Sequence, residues 1–335
     1  MALRVGIDTR SLRCGPAGVA TYVRNLLRHL PYLECLDHTL PANNFLWNQI
    51  WGPLAQIRGR WQIFHAPAYT APLLNLSKLA LAVHDVSYLA GGDLYPYRVD
   101  RFRLAFYRAS LRAADLILVP SRFSGEELGR RFPALVRRIR QVPLGVSGEF
   151  IPDPDAARAA RVALELPHRF LLNVGDLHPR RNLPLLAAAA RQHGLPLVLV
   201  GRRLAGPGPE GPEVLRYEGL PTEQLRGVYS AAEAFVYASV YEGFGLPLLE
   251  AMACGIPVIA VRRASIPEVC GEAAVLVEPD LRSLVEGIQT ALDRRHEYIE
   301  AGREWARRFS WKRTAQQTEA AYRELVQDIR PRLSG

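Results

Sequence analysis

Apolar positions along this chain switch repeatedly between short continuous runs and helical stripes. Leu3, Val5 and Ile7 make a first run. After a loop through Gly15 and Gly18, Val19, Tyr22, Val23, Leu26, Leu27 and Leu30 recur at the three- and four-residue spacing of a helix with one buried face. Short runs at 61–65, 79–84, 115–119 and 139–142 predict further strands. A second series follows near 170–174, 197–200, 234–237, 257–261 and 274–277, again separated by helical stretches. Parallel strands covered by helices on both faces read as such continuous apolar runs. The alternation predicts an α/β fold of doubly wound parallel sheets, and its two series predict two Rossmann-like domains.

The periods break over 142–154, VPLGVSGEFIPDP, where prolines and glycines cluster. The predicted domains are 1–147 and 148–311, with a last helix at about 312–330. A chain of 335 residues is long enough for two cores. Asp153 and Asp155 in the break imitate a metal-binding Asp-x-Asp but lie outside any strand end and read as linker acids. Cys14, Cys35, Cys254 and Cys270 show no CxxC and no metal-ligand spacing, which predicts free thiols. No run of 18 apolar residues occurs and MALRVGIDTR lacks the apolar core of a signal peptide, so the expectation is a cytoplasmic protein.

Charge changes this picture in one place. The net charge is +9, and between Tyr97 and Arg140 eleven arginines face four acids. Such a surplus suits a solvated helical face, an anionic membrane surface or a phosphorylated substrate. A nucleic-acid role has no binding motif to accompany it.

The densest chemistry lies in YEGFGLPLLEAMACGIPVIA, residues 241–260. Gly243-Phe244-Gly245 allows close approach of backbone to a ligand, and Pro247 suits the first turn of a helix. Free N–H groups and the positive end of the helix dipole would then face that ligand, a natural place for phosphate. Glu242 and Glu250 bracket the turn and can accept hydrogen bonds from hydroxyls. An anionic, hydroxyl-rich molecule such as a nucleotide sugar fits the set.

This Glu-x7-Glu element resembles the donor signature of the retaining group 1 glycosyltransferases, glycosyltransferase family 4, which have the GT-B fold. Other segments agree in order: GPAGVATYVRNLL (15–27), VHDVSYL (83–89), VPSRFSGEEL (119–128), VPLGV (142–146), NVGDLHPRRNLPLL (173–186) and FSWKRTAQQTEAAYREL (309–325). The resemblance implies two Rossmann-like domains facing a cleft, with the acceptor held by the N-terminal one and the donor by the C-terminal one, and the last helix crossing back. It implies transfer of a hexose, with mannose from GDP-mannose as the leading choice, to a hydroxyl in polysaccharide or glycolipid synthesis. It implies no metal and no cofactor beyond the nucleotide-sugar co-substrate. The partners it implies are a nucleoside-diphosphate sugar and a carbohydrate or lipid-linked acceptor, with peripheral contact at the inner face of the membrane through the 97–140 segment.

The resemblance also assigns residues. Arg180 and Arg181 match the family's Arg-Lys pair, placed to neutralise the leaving diphosphate. Asp176 departs from the arginine that many relatives carry there. Glu250 matches the ribose-binding residue and Glu242 the one near the donor sugar, with Gly243, Phe244, Gly245 and Leu246 supplying contacts. Whether Glu242 is a nucleophile or only positions the donor stays open. His84 matches the family's cleft histidine, and Gly15 and Gly18 the loop near diphosphate or acceptor. His65, Ser121 and Arg122 are further candidates. Two alternatives remain: a sugar phosphorylase or nucleotide-sugar epimerase on the same fold, and a non-catalytic basic binding protein. A dehydrogenase fits less well, because no G-x-G-x-x-G follows the first strand.

Overall fold

The computed structural model describes residues 3–14, 17–36, 44–90, 94, 100–204, 208–209, 211 and 213–327. These fall into two compact units. One gathers the described residues of Met1–Leu89, Val99–Leu144 and Trp311–Gly335, and the other those of Ala90–Arg98 and Gly145–Ser310.

The first unit is built on β1 (Val5–Asp8), β2 (Leu33–Leu36), β3 (Ile63–Ala66), β4 (Lys78–Ala82), β5 (Leu116–Val119) and β6 (Ile139–Gln141). They form one parallel sheet in the order β2-β1-β3-β4-β5-β6. Strands β1, β3 and β5 are buried along their whole length. The predicted helical stripe is the helix Ala17–His29, which buries Val19, Tyr22, Val23 and Leu26. The helix Trp311–Gln327 also belongs to this unit: Tyr322 sets its hydroxyl against His65 Nδ1, and Thr314 Oγ1 donates to the Pro143 carbonyl at 2.8 Å.

The second unit holds β7 (Leu171–Val174), β8 (Leu197–Val200), β9 (Val214–Tyr217), β10 (Ala234–Tyr237), β11 (Val258–Val261) and β12 (Val275–Val277). All are parallel, in the order β12-β11-β10-β7-β8-β9. The middle strands β7, β8, β10 and β11 are fully buried and, Asn173 of β7 apart, built of apolar and aromatic residues, the signature of a sheet covered on both faces. This is the Rossmann order, whose sequence reverses between β7 and β10.

The ten strands anticipated from the apolar runs are all present. Two more were not anticipated, β2 and β9. Both lie at sheet edges and expose polar side chains such as Glu34 and Arg216, so neither gives a continuous apolar run. Among the described residues, no helix is long and apolar enough to cross a membrane.

Candidate functional site

In an open parallel sheet, ligands bind beyond the carboxyl ends of the strands where the order reverses. In the second unit that place lies after β7 and β10. Asn173 of β7 donates to the Val236 carbonyl of β10 at 2.8 Å, and beyond the strands the Val240 N–H donates to the Arg180 carbonyl at 2.8 Å. The two strand ends and the loops that follow them are thereby tied together.

Gly175 opens the loop after β7 with φ +134. A Cβ at this position would lie 2.8 Å from Arg181 Nη2, so only glycine leaves the guanidinium room against the backbone. His178 turns the chain by accepting from the Arg180 N–H through Nδ1 (3.4 Å) and from the Arg181 N–H through its carbonyl (2.9 Å). Arg181 is buried. Its Nη1 lies 2.8 Å from Glu242 Oε1, and its guanidinium stacks 4.9 Å above the Tyr237 ring. Its Nε is buried without a hydrogen-bond partner among the described residues. Burial pulls the Arg181 pKa below the usual arginine value, and the Glu242 carboxylate opposes that pull.

Glu242 is buried as well. Ser239, just beyond β10, donates its hydroxyl to Glu242 Oε1 at 2.5 Å. Ser265 Oγ lies 2.9 Å from the Glu242 carbonyl and 3.0 Å from that of Phe244, which fixes the turn from both sides. Phe244 is buried with its ring against Phe309. Gly245 then takes φ +104 and starts the helix Leu246–Ala253, with Pro247 in the first turn. A Cβ at Gly245 would also strike Leu248 Cδ1 at 2.8 Å. Of the first N–H groups of this helix, Pro247 has none and that of Leu248 donates to the Gly245 carbonyl at 3.0 Å, which leaves the Leu246 N–H at its open end.

Glu250 lies one turn into that helix and accepts from the Tyr229 hydroxyl at 2.9 Å. Burial lifts its pKa to about 7, against the lowering effect of the Tyr229 bond. Asp176 pairs with Arg202 at 3.0 Å, so an arginine from the end of β8 stands beside the position where the family pattern would have put one on the β7 loop itself.

In the first unit the order reverses between β1 and β3. At the end of β1, Asp8 is gripped by Arg10, with Nη2 2.7 Å from Oδ2, and Arg10 stacks 3.4 Å over the Trp47 ring. His84 follows β4, half-buried and edge-on to Tyr22 and Tyr69. Its Nε2 donates to the Pro67 carbonyl at 2.8 Å, and burial lowers its pKa, so the neutral ring presents Nδ1 as an acceptor. Gly18 sits in the first turn of the helix Ala17–His29 with open space where a side chain would be. Gly15 lies outside the described residues.

The other candidates have structural roles. His65 is fully buried in β3 between the hydroxyls of Tyr22 and Tyr322, and burial holds its pKa near 3. Ser121 caps the helix Arg122–Arg131, and Arg122 pairs with Glu126 at 3.8 Å. Asp153 caps the helix Pro154–Ala163 and pairs with Arg226. Among the described residues, no cluster of three or more His, Cys, Asp or Glu is gathered to hold a metal. Of the site's residues, Tyr229, Tyr237, Ser239 and Ser265 are absent from the sequence reading. Ser239 had a signal, since it lies two residues beyond the strand predicted at 234–237.

Comparison with known proteins decides the family. The family model for glycosyl transferases group 1 matches residues 158–305. The O-antigen chain mannosyltransferase B of Escherichia coli is 34% identical over 287 residues, covering 78% of this chain and 74% of that one. The chain belongs to the group 1 glycosyltransferases. Solved structures agree on the fold. A sucrose-phosphate synthase from Thermosynechococcus elongatus matches 97% of this chain and 99% of its own at TM-score 0.77 and 23% identity. Anabaena Alr3699/HepE, in complex with UDP-glucose, matches 96% and 100% at TM-score 0.74 and 17% identity. The fold is GT-B, and the chain is a glycosyltransferase.

Proposed function

We propose that this glycosyltransferase moves mannose from GDP-mannose to a hydroxyl of a polysaccharide or glycolipid acceptor with retention at the anomeric carbon. The observation that carries this reading is the buried Arg181–Glu242 pair at the β7/β10 switch point, beside a helix opened at Gly245. Breaking the anomeric C–O bond leaves positive charge on the sugar and throws negative charge onto the departing diphosphate. Arg180, Arg181 and the positive end of the helix Leu246–Ala253 meet that charge. Two arginines and a helix terminus fill the role that a divalent cation would otherwise have, so transfer needs no metal.

The ribose hydroxyls donate to the Glu250 carboxylate. Gly243, Phe244, Gly245 and Leu246 border the sugar and phosphates, and Glu242, held by Arg181 and Ser239, orients the sugar. The acceptor hydroxyl attacks from the face the diphosphate leaves, and the phosphate oxygen takes its proton. In the first unit His84 Nδ1 is the acceptor for a hydroxyl that binds there, and Gly18 leaves the start of its helix open. Mannose is chosen over other hexoses because the chain resembles an O-antigen chain mannosyltransferase over three quarters of its length.

The test needs no acceptor. The purified protein is incubated with GDP-mannose in the presence of EDTA, and the sugar released by slow hydrolysis is followed by proton NMR. Release of α-mannose first supports donor, retention and metal independence together. β-Mannose first, or turnover abolished by EDTA and restored by a divalent cation, contradicts the corresponding part.

A further inference from the structure

We infer that Arg202, positioned by Asp176, is a further cation for the diphosphate of the donor, beside Arg180 and Arg181. The inference rests on the donor reading above and adds to it a residue from the loop after β8, outside the β7/β10 switch point. The loops after β7 and β8 are joined edge to edge. Within the sheet Val174 pairs with Val200. Beyond the strands the Gly175 N–H donates to the Val200 carbonyl at 2.8 Å, the Leu177 N–H to the Arg202 carbonyl at 2.7 Å, and the Leu204 N–H to the Leu177 carbonyl at 3.1 Å. A Cβ at Gly201 would collide with the Gly175 carbonyl, so glycine lets the two backbones close on each other. This ladder fixes the backbone of Arg202 against the loop that carries Arg181.

Charge continues along the same edge of the sheet. Arg181 pairs with Glu242, from the loop after β10. Burial pulls the Arg181 pKa down, and the Asp176 carboxylate, after Glu242, opposes that pull, so Asp176 also lies within electrostatic reach of Arg181. Asp176 in turn takes Arg202 in two bonds, from Nε to Oδ1 at 3.3 Å and from Nη2 to Oδ2 at 3.0 Å. Glu242, Arg181, Asp176 and Arg202 thus alternate in sign through the loops that follow three neighbouring strands, β10, β7 and β8.

The bonds to Asp176 use one edge of the Arg202 guanidinium and turn the other, Nη1 with Nη2, away from that carboxylate. The Arg202 side chain is 46% exposed, so a ligand can reach that edge, and an ion pair this open contributes little to stability. A planar guanidinium edge matches two oxygens of a phosphate. The balance of charge points to the same ligand. In the set Arg180, Arg181, Arg202, Glu242 and Asp176, three cations face two carboxylates. Without Arg202 the two charges of each sign would cancel, and the row would offer a diphosphate no net attraction. Asp176 is the positioning residue: it holds the long Arg202 side chain in one orientation before the ligand arrives.

The test is calorimetric titration of GDP and UDP into the full chain at low salt and at about 0.5 M salt, with melting temperatures read alongside. Arg202→Met is expected to weaken GDP binding about tenfold at low salt, by clearly less at high salt, and to melt as wild type. Should it fold poorly, Arg202→Gln is expected to show the same salt-dependent loss. Asp176→Ala is expected to weaken GDP binding about threefold in wild type and not at all in the Arg202→Met background, because it acts through Arg202. Unchanged GDP affinity in Arg202→Met, or a loss equal at both salt concentrations, overturns the phosphate contact. Equal weakening by Asp176→Ala in both backgrounds overturns its positioning role. Wild type that binds UDP and not GDP overturns only the choice of nucleotide, and the same comparisons are then read on UDP. Wild type that binds neither overturns the donor reading and this inference with it.

Discussion

The two sheets share an architecture but furnish their switch points in opposite ways. After β7 and β10, a cationic side chain is buried, stacked on Tyr237 and locked to Glu242, with left-handed glycines on either flank. Near the end of β4, the half-buried histidine is kept neutral and surrounded by tyrosines, while the arginine after β1 is already neutralised by Asp8. One edge holds a buried ion pair beside the opening of a helix, and the other a neutral imidazole among tyrosine rings.

The largest expected effect breaks the charged edge. Arg181→Met should lower turnover about 10²- to 10³-fold, as when a single charge-stabilising donor is removed. It should also lower stability by about 3–5 kcal/mol, because Glu242 is left buried without its counter-charge. Arg181→Met/Glu242→Met should recover the melting temperature yet stay inactive, which separates the pair's catalytic role from its structural one.

Next in size is Glu250. Glu250→Ala should weaken nucleotide binding about tenfold, or about 1.4 kcal/mol, in calorimetric titration. With its pKa lifted to about 7, Glu250 favours the folded state at low pH, and that contribution is lost as pH rises through 7. Denaturant titrations should show Glu250→Gln abolishing this fall. Nucleotide affinity should move the other way, rising through pH 7 as the carboxylate forms. Tyr229→Phe removes a bond that favours the carboxylate and should shift that midpoint upward.

Gly245→Ala should cost about 1–3 kcal/mol from a non-glycine residue held at φ +104 and pressed on Leu248. The loss should be visible in both melting temperature and nucleotide affinity. The uncharged edge gives the smallest catalytic effect. His65→Leu should destabilise by about 1–3 kcal/mol through the two orphaned tyrosine hydroxyls, with turnover nearly unchanged. Because its folded pKa is lowered to about 3, the stability His65 contributes is present above its unfolded value and lost as pH falls toward 3. His65→Leu should flatten that acid limb.

Most of this division was legible in the sequence, and the gaps have physical causes. Buried middle strands announce themselves as apolar runs, whereas the edge strands β2 and β9 do not. Arg180, Arg181, Glu242 and Glu250 stood out as residue types in a spaced pattern. That Arg181 and Glu242 are one buried pair was not legible, because it depends on β7 and β10 lying side by side although two strands come between them in the chain. Tyr229 was missed for the same reason: its bond to Glu250 joins two helices on either side of β10. His65 drew notice as a histidine at a strand end, and nothing local to it revealed the Tyr322 hydroxyl brought in from the last helix.

The most direct test is calorimetric titration of GDP-mannose into wild type, Arg181→Met/Glu242→Met and His84→Ala. The account predicts binding to wild type, loss of binding in the double variant at an undiminished melting temperature, and wild-type affinity in His84→Ala. Equal binding by the double variant, or loss confined to His84→Ala, would contradict the assignment of the donor to the β7/β10 edge.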